Sequence, residues 1–183
     1  MSTAQAIELI GQICGLIIIV TNPLAMQFPK RWQMLLMLSG VNFLSVINQL
    51  CVGSGFASAT VCGVAMLHCA VNSYKSGKGR EIRTVENVVW SAVYFAALGV
   101  SIFISAQVGA ATWLDVFPVL GTVAFLGSVL CKREQTIRKF TFVNCLIYFV
   151  YNIINLNVTA VSQLIAMISI VIALYRYREK KPA

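Results

Sequence analysis

Charge and catalytic side chains are scarce in this sequence of 183 residues. Only 11% of them are charged, with six acidic residues and one histidine. No stretch combines His, Cys and carboxylates at metal-ligand spacing, no glycine-rich phosphate loop follows a strand, and no nucleophile has both a base and an orienting acid within reach. These absences argue against an enzyme and against a metal or organic cofactor. The six cysteines, Cys14, Cys51, Cys62, Cys69, Cys131 and Cys145, lack C-x-x-C spacing and fall in or beside apolar runs, which makes them packing residues rather than a disulfide or zinc framework. No basic residue precedes the first apolar run and no small-residue cleavage pattern closes it, so it is expected to remain as a span rather than be cleaved as a leader.

What the chain has in abundance is apolar surface. Its 58% hydrophobic content and mean hydropathy of +0.81 exceed what a water-facing domain carries, so the expected solvent is lipid. A helix needs about 17 to 25 mostly apolar residues to cross the bilayer core. Seven segments qualify, over 7–26, 34–51, 56–74, 88–105, 114–130, 140–156 and 158–174. A membrane β-barrel is disfavoured because 15–20 and 165–174 run apolar without the alternation that a barrel strand requires. The expected class is an all-α membrane protein.

The basic residues set the expected topology. All fourteen Lys and Arg lie in four groups: Lys30 and Arg31; Lys75, Lys78, Arg80 and Arg83; Lys132, Arg133, Arg138 and Lys139; Arg176, Arg178, Lys180 and Lys181. With seven spans these groups share one face, which the positive-inside rule assigns to the cytoplasm, placing the N-terminus outside and the C-terminus in the cytoplasm. The net charge of +8 then reflects insertion and not affinity for nucleic acid, because each group is short and abuts a span.

A long polar loop is expected over 75–87. It divides a single membrane domain, 1–183, into a first triplet of spans (7–74), a basic loop with a linker span (75–113) and a second triplet (114–178). Laying 46–74 over 150–178 without gaps matches Val46 with Val150, Asn48 with Asn152 and Ser58 with Ser162, and Glu8 and Gly15 correspond roughly to Asp115 and Gly121. This reads as a 3+1+3 parallel repeat, an architecture that places substrate sites between the repeats near the membrane midplane.

Several motifs carry a resemblance. The DVFPVLGT run at 115–122, Arg138, the Tyr151 and Asn152 pair and YRYR at 175–178 resemble the second half of the YgjV-type bacterial inner-membrane proteins. GQICG at 11–15 and the small-residue turn GSGFA at 53–57 are similar to the first half. The resemblance spans 7–178 and implies a multi-pass protein of the bacterial inner membrane, in a layout like that of the SWEET and PQ-loop transporters. The first triplet ends in NSY at 72–74 where that family would have an arginine, and Asn22-Pro23 stands in place of a Pro-Gln pair. Sugar transport therefore does not follow from the resemblance.

Polar groups inside spans either face inward or bond a neighbouring helix. Asn42, Asn48, Gln49, His68, Asn72, Asn144, Asn152, Asn155 and Gln163 form that set. Asn48 and Asn152, at matched positions, with Ser58, Ser162, Gln163 and, as a proton relay, His68, are the candidates for a solute path; each also reads as a helix contact, the reading favoured for Asn48, Asn152 and His68. Pro23 and Pro118 are hinge candidates because proline breaks the helical ladder, although a proline in a first turn is well tolerated. Glu8 and Asp115 are expected at the starts of their helices. Gly11-x-x-x-Gly15 signals close helix packing without naming the partner, so a homo-oligomer stays open. The expected function is a transporter-like protein carrying a small neutral or weakly charged solute between two three-helix bundles. The competing one is a membrane scaffold or regulatory subunit acting through basic loop residues such as Arg80 and Arg83.

Overall fold

A computed structural model describes residues 2–52, 56–80, 83–107, 109 and 112–177. Among these the secondary structure is entirely helical: α1 (Thr3–Ala25), α2 (Arg31–Val52), α3 (Phe56–Gly77), α4 (Thr84–Gln107), α5 (Val116–Leu130, preceded by a 3₁₀ turn at Trp113–Asp115), α6 (Glu134–Ile154) and α7 (Thr159–Arg176). Each is long and apolar enough to cross a membrane, counting the 3₁₀ turn with α5.

Most helices begin earlier or end later than the apolar runs that announce them. α2 starts at Arg31 and α6 at Glu134, and α3 and α4 extend into the expected 75–87 loop, leaving only 78–83 between them. Their polar turns stay helical because they find partners. Lys75 Nζ pairs with Glu86 Oε1 at 2.8 Å across the ends of α3 and α4, and Gly79, at φ +66°, makes the left-handed turn that ends α3. Glu8 is not at a helix start, because α1 begins a turn earlier, capped by Ser2, whose Oγ accepts from Gln5 N while its own N–H donates to Gln5 Oε1. Asp115 does serve as expected, accepting the Thr112 N–H at 3.0 Å.

Successive pairs α1–α2, α2–α3, α3–α5, α5–α6, α6–α7 and α7–α1 pack together and close a ring, with α4 outside it against α3 and α5. Close approach of α1 to α2 depends on Gly11, where a Cβ would lie 2.7 Å from Cys51 Cβ. Two apolar clusters hold the ring. Met26, Met34, Leu35, Leu38, Val129, Ile137 and Ile170 fill the end where the basic residues gather. Ala57, Val61 and Ala65 of α3, with Tyr94, Leu98 and Leu126, seat α4. The outer surface is the inverse of a soluble protein's: Leu16, Val20, Phe43, Leu67, Phe103, Ile168 and Val171 all face outward. A continuous apolar exterior of this kind is stable against lipid and not against water.

The basic end is tied together by side chains that reach carbonyls across helices. Arg31, opening α2, donates from Nη2 to the Val129 carbonyl at the end of α5, 2.9 Å away. Arg138, in α6, donates from Nε to Met26 O and from Nη2 to Phe28 O, at 3.3 and 3.1 Å, just beyond α1. Gln27 donates to the Ser169 carbonyl and hydroxyl, and Tyr177 OH to Gln27 O. The two arginines therefore make similar contacts, each joining the first turns of one helix to the end of a helix two places round the ring.

A central amide-lined cavity

The six ring helices enclose an elongated cavity of about 70 Å³. Along α2 its lining runs from Leu38 to Gln49, about 16 Å at the rise of an α-helix. α1 contributes Ile18 and Asn22; α2 also contributes Asn42, Ser45 and Asn48; α6 contributes Thr141, Asn144, Cys145, Tyr148 and Asn152; α7 contributes Thr159 and Gln163. Among the described residues, no Asp, Glu, Lys or Arg belongs to this lining. A volume of this size admits water and falls below the roughly 300 to 1,000 Å³ of sites for drug-sized ligands.

The amides divide into two groups. Asn48 is fully engaged: its Nδ2 donates to Gly11 O at 2.8 Å and its Oδ1 accepts from Asn157 Nδ2 at 3.4 Å. Asn144 bonds the Gly121 carbonyl at 2.8 Å, and Asn42 bonds Leu38 O within its own helix. Asn22, Asn152 and Gln163, in contrast, border the cavity with amides that make no side-chain hydrogen bond to the described protein, and Asn22 and Asn152 are each only 6% exposed. Gln49 adds a buried Oε1 without a donor. Asn144, like Asn48, bonds a glycine carbonyl of a neighbouring helix, whereas Asn152, the residue matched to Asn48 in the ungapped alignment, does not.

The other candidates are dispersed. Ser162 is buried and donates to Ile18 O at 3.1 Å, joining α7 to α1 outside the cavity lining. Ser58 is buried in α3, outside the cavity lining, and its hydroxyl has no hydrogen-bond partner among the described residues. His68 lies away from the cavity at the α3–α4 contact, stacked on Trp90 at 4.6 Å and edge-on to Tyr94 at 5.7 Å, with neither ring nitrogen partnered. Pro23 sits in the last turn of α1, its carbonyl accepting from Ser169 Oγ at 2.8 Å. Pro118 sits in the first turn of α5, where it interrupts no helical hydrogen bond, and its carbonyl accepts from Thr122 Oγ1. Gly11 and Gly15 pack within the ring, against α2 and against Val158 and Asn48.

Three contributors escaped the sequence reading. Asn22 looked like half of a helix-breaking pair, yet it falls on the buried stripe of α1 that runs through Gly11, Gly15 and Ile18. Tyr148 lies flat on Gly121, where a Cβ would come within 2.5 Å of its ring. Arg138, expected in a loop, is 1% exposed.

Fold and cavity together define a multi-pass helical membrane protein with a central cavity lined, among the described residues, by uncharged polar and apolar side chains. No family model, curated protein or solved structure matches the chain.

Proposed function

We propose that this protein moves small, uncharged, hydrogen-bonding solutes across a bilayer through the central cavity. The observation that carries the reading is the set of unpartnered amides of Asn22, Asn152 and Gln163 around a space that contains no charge. An amide held away from bulk water without a partner costs about 1 to 3 kcal/mol, a cost relieved when water or a polar solute fills the space. The absence of ionised groups disfavours ions, whose desolvation would go uncompensated. A structural amide would instead resemble Asn48, with every polar atom bonded.

Within this proposal the protein is a 3+1+3 repeat. The reading is supported by the paired α1–α7 and α3–α5 contacts, by the similar reach of Arg31 and Arg138, and by the Asn48–Gly11 and Asn144–Gly121 bonds. The basic end faces the cytoplasm, the N-terminus lies outside, and the membrane is a bacterial inner membrane if the likeness to the YgjV-type proteins reflects kinship. The apolar cluster around Met34, Leu38 and Ile137, roofed by the Arg138 and Gln27 contacts, forms a closed inner gate that must loosen for release.

Cysteine labelling tests whether water reaches this path. Gln163→Cys is expected to react in membranes with a water-soluble methanethiosulfonate, located by mass spectrometry above the native cysteine background, while the lipid-facing Ile168→Cys stays unmodified. Equal protection of both positions would rule out a hydrated pathway.

A further inference from the structure

A second cavity, of about 270 Å³, opens at the basic end, separate from the central one. It is bounded by Arg31 at the start of α2, Ser76 near the end of α3, Arg80 in the following turn, Asn87 in the first turn of α4, and Lys132 and Glu134 between α5 and α6. Three cations and one carboxylate from four connected parts of the chain thus surround one concavity.

Arg31 gives the cavity its chemistry. Its Nη2 is held by the Val129 carbonyl, but its Nε is buried without an acceptor, and among the described residues no carboxylate pairs with it; Glu134 acts on it only at longer range. A guanidinium partly withdrawn from water without a counter-charge is unfavourable, and the usual remedy is a bidentate oxyanion. Asn87 adds a buried Oδ1 with no donor. A concavity walled by two guanidinium groups, an ammonium and a hydroxyl, with one of the guanidiniums short of acceptors, matches a compact oxyanion.

We propose that this cavity binds a phosphate monoester or inorganic phosphate, with the Arg31 and Arg80 guanidinium groups donating to its oxygens and Ser76 adding a hydroxyl. Lys132 contributes long-range attraction. The same headgroup chemistry arises from a soluble phosphate or from a lipid with a terminal phosphate. Glu134 limits the site's net charge and favours the singly protonated form. The site does not depend on the central cavity conducting a solute.

The test measures thermal unfolding of the detergent-purified protein with sodium phosphate, with sodium chloride at matched ionic strength, and with dioctanoyl phosphatidic acid or dioctanoyl phosphatidylcholine. Phosphate, phosphatidic acid or both are expected to raise the midpoint by about 3 °C or more over their controls, because a ligand bound only to the native state stabilises it. A response to both marks a headgroup site, to phosphatidic acid alone a lipid source, and to phosphate alone a soluble one. Arg80→Gln with Lys132→Gln is expected to abolish the shift. Should that variant not fold, Asn87→Asp, which sets a carboxylate against the phosphate, is expected to do the same. An equal response to chloride and to phosphatidylcholine, no response to either phosphate probe, or a shift undiminished in a folded variant would overturn the site.

Discussion

The side chain of Asn48 reaches from α2 to the Gly11 carbonyl of α1, 2.8 Å away, and the absence of a side chain on Gly11 is what lets it do so. Both ends of the contact are specified: the amide has no solvent to return to, and the two helices have no room to separate around a larger residue. Asn48→Ala is therefore expected to lower stability by about 1 to 2 kcal/mol. Gly11→Ala, whose Cβ would meet Cys51 and Val52 inside 3 Å, is expected to cost at least as much. Equilibrium unfolding in mixed micelles measures both losses.

Gly121→Ala acts differently. Its new methyl would overlap the Tyr148 ring and must push that ring off α5, changing the wall of the central cavity. The expected outcome is a protein that inserts and folds but carries solute at less than a tenth of the wild-type rate. Proteoliposome flux compared with retained circular dichroism checks the split.

Arg138→Met keeps the volume of the side chain and removes its bonds to Met26 and Phe28. The carbonyls beyond α1 then lose their donor, so stability should fall by about 2 to 3 kcal/mol. Tyr177, whose ring lies 4.7 Å from the guanidinium, loses part of its seat at the same time. A faster rate of proteolytic cleavage at the basic end would accompany the drop in unfolding midpoint.

These three cases show how far the sequence carries. The seven helices are legible because an apolar run of bilayer length has no stable alternative in lipid. Their ends are not, since the polar turns around Arg31 and Glu134 sit beside arginines bonded to carbonyls far along the chain, and the turn around Thr84 is held by the Lys75–Glu86 pair. Asn152 and Gln163 stand out as costly amides in lipid, and they border the cavity. Asn48, equally conspicuous, turns out to be a brace, because whether an amide is bonded depends on which backbone faces it. Arg138 was hidden for a related reason: a basic residue next to an apolar run reads as a loop anchor, and only the opposing α1 carbonyls reveal it as buried.

The proposed orientation makes its own prediction. A membrane-impermeant amine reagent added to right-side-out vesicles should leave Lys78 unmodified and modify it once the vesicles are opened, while a tag placed before Ser2 should be reached in intact vesicles. Mass spectrometry of the Lys78 peptide reads the first and antibody binding the second. The reverse pattern would invert the topology and move the proposed gate to the outer side.

The proposed solute path is tested most directly by uptake of radiolabelled glycerol and urea into proteoliposomes, with Asn152→Ala measured beside the wild type at equal protein incorporation. Glycerol and urea are small and uncharged, and each both donates and accepts hydrogen bonds. Wild-type vesicles should take up at least one of them several-fold faster than protein-free vesicles, and Asn152→Ala should remove most of that excess while its unfolding midpoint stays within about 2 °C of the wild type. Uptake no faster than through bare lipid, or an Asn152→Ala protein that transports as well as the wild type, would contradict a pathway through the central amides.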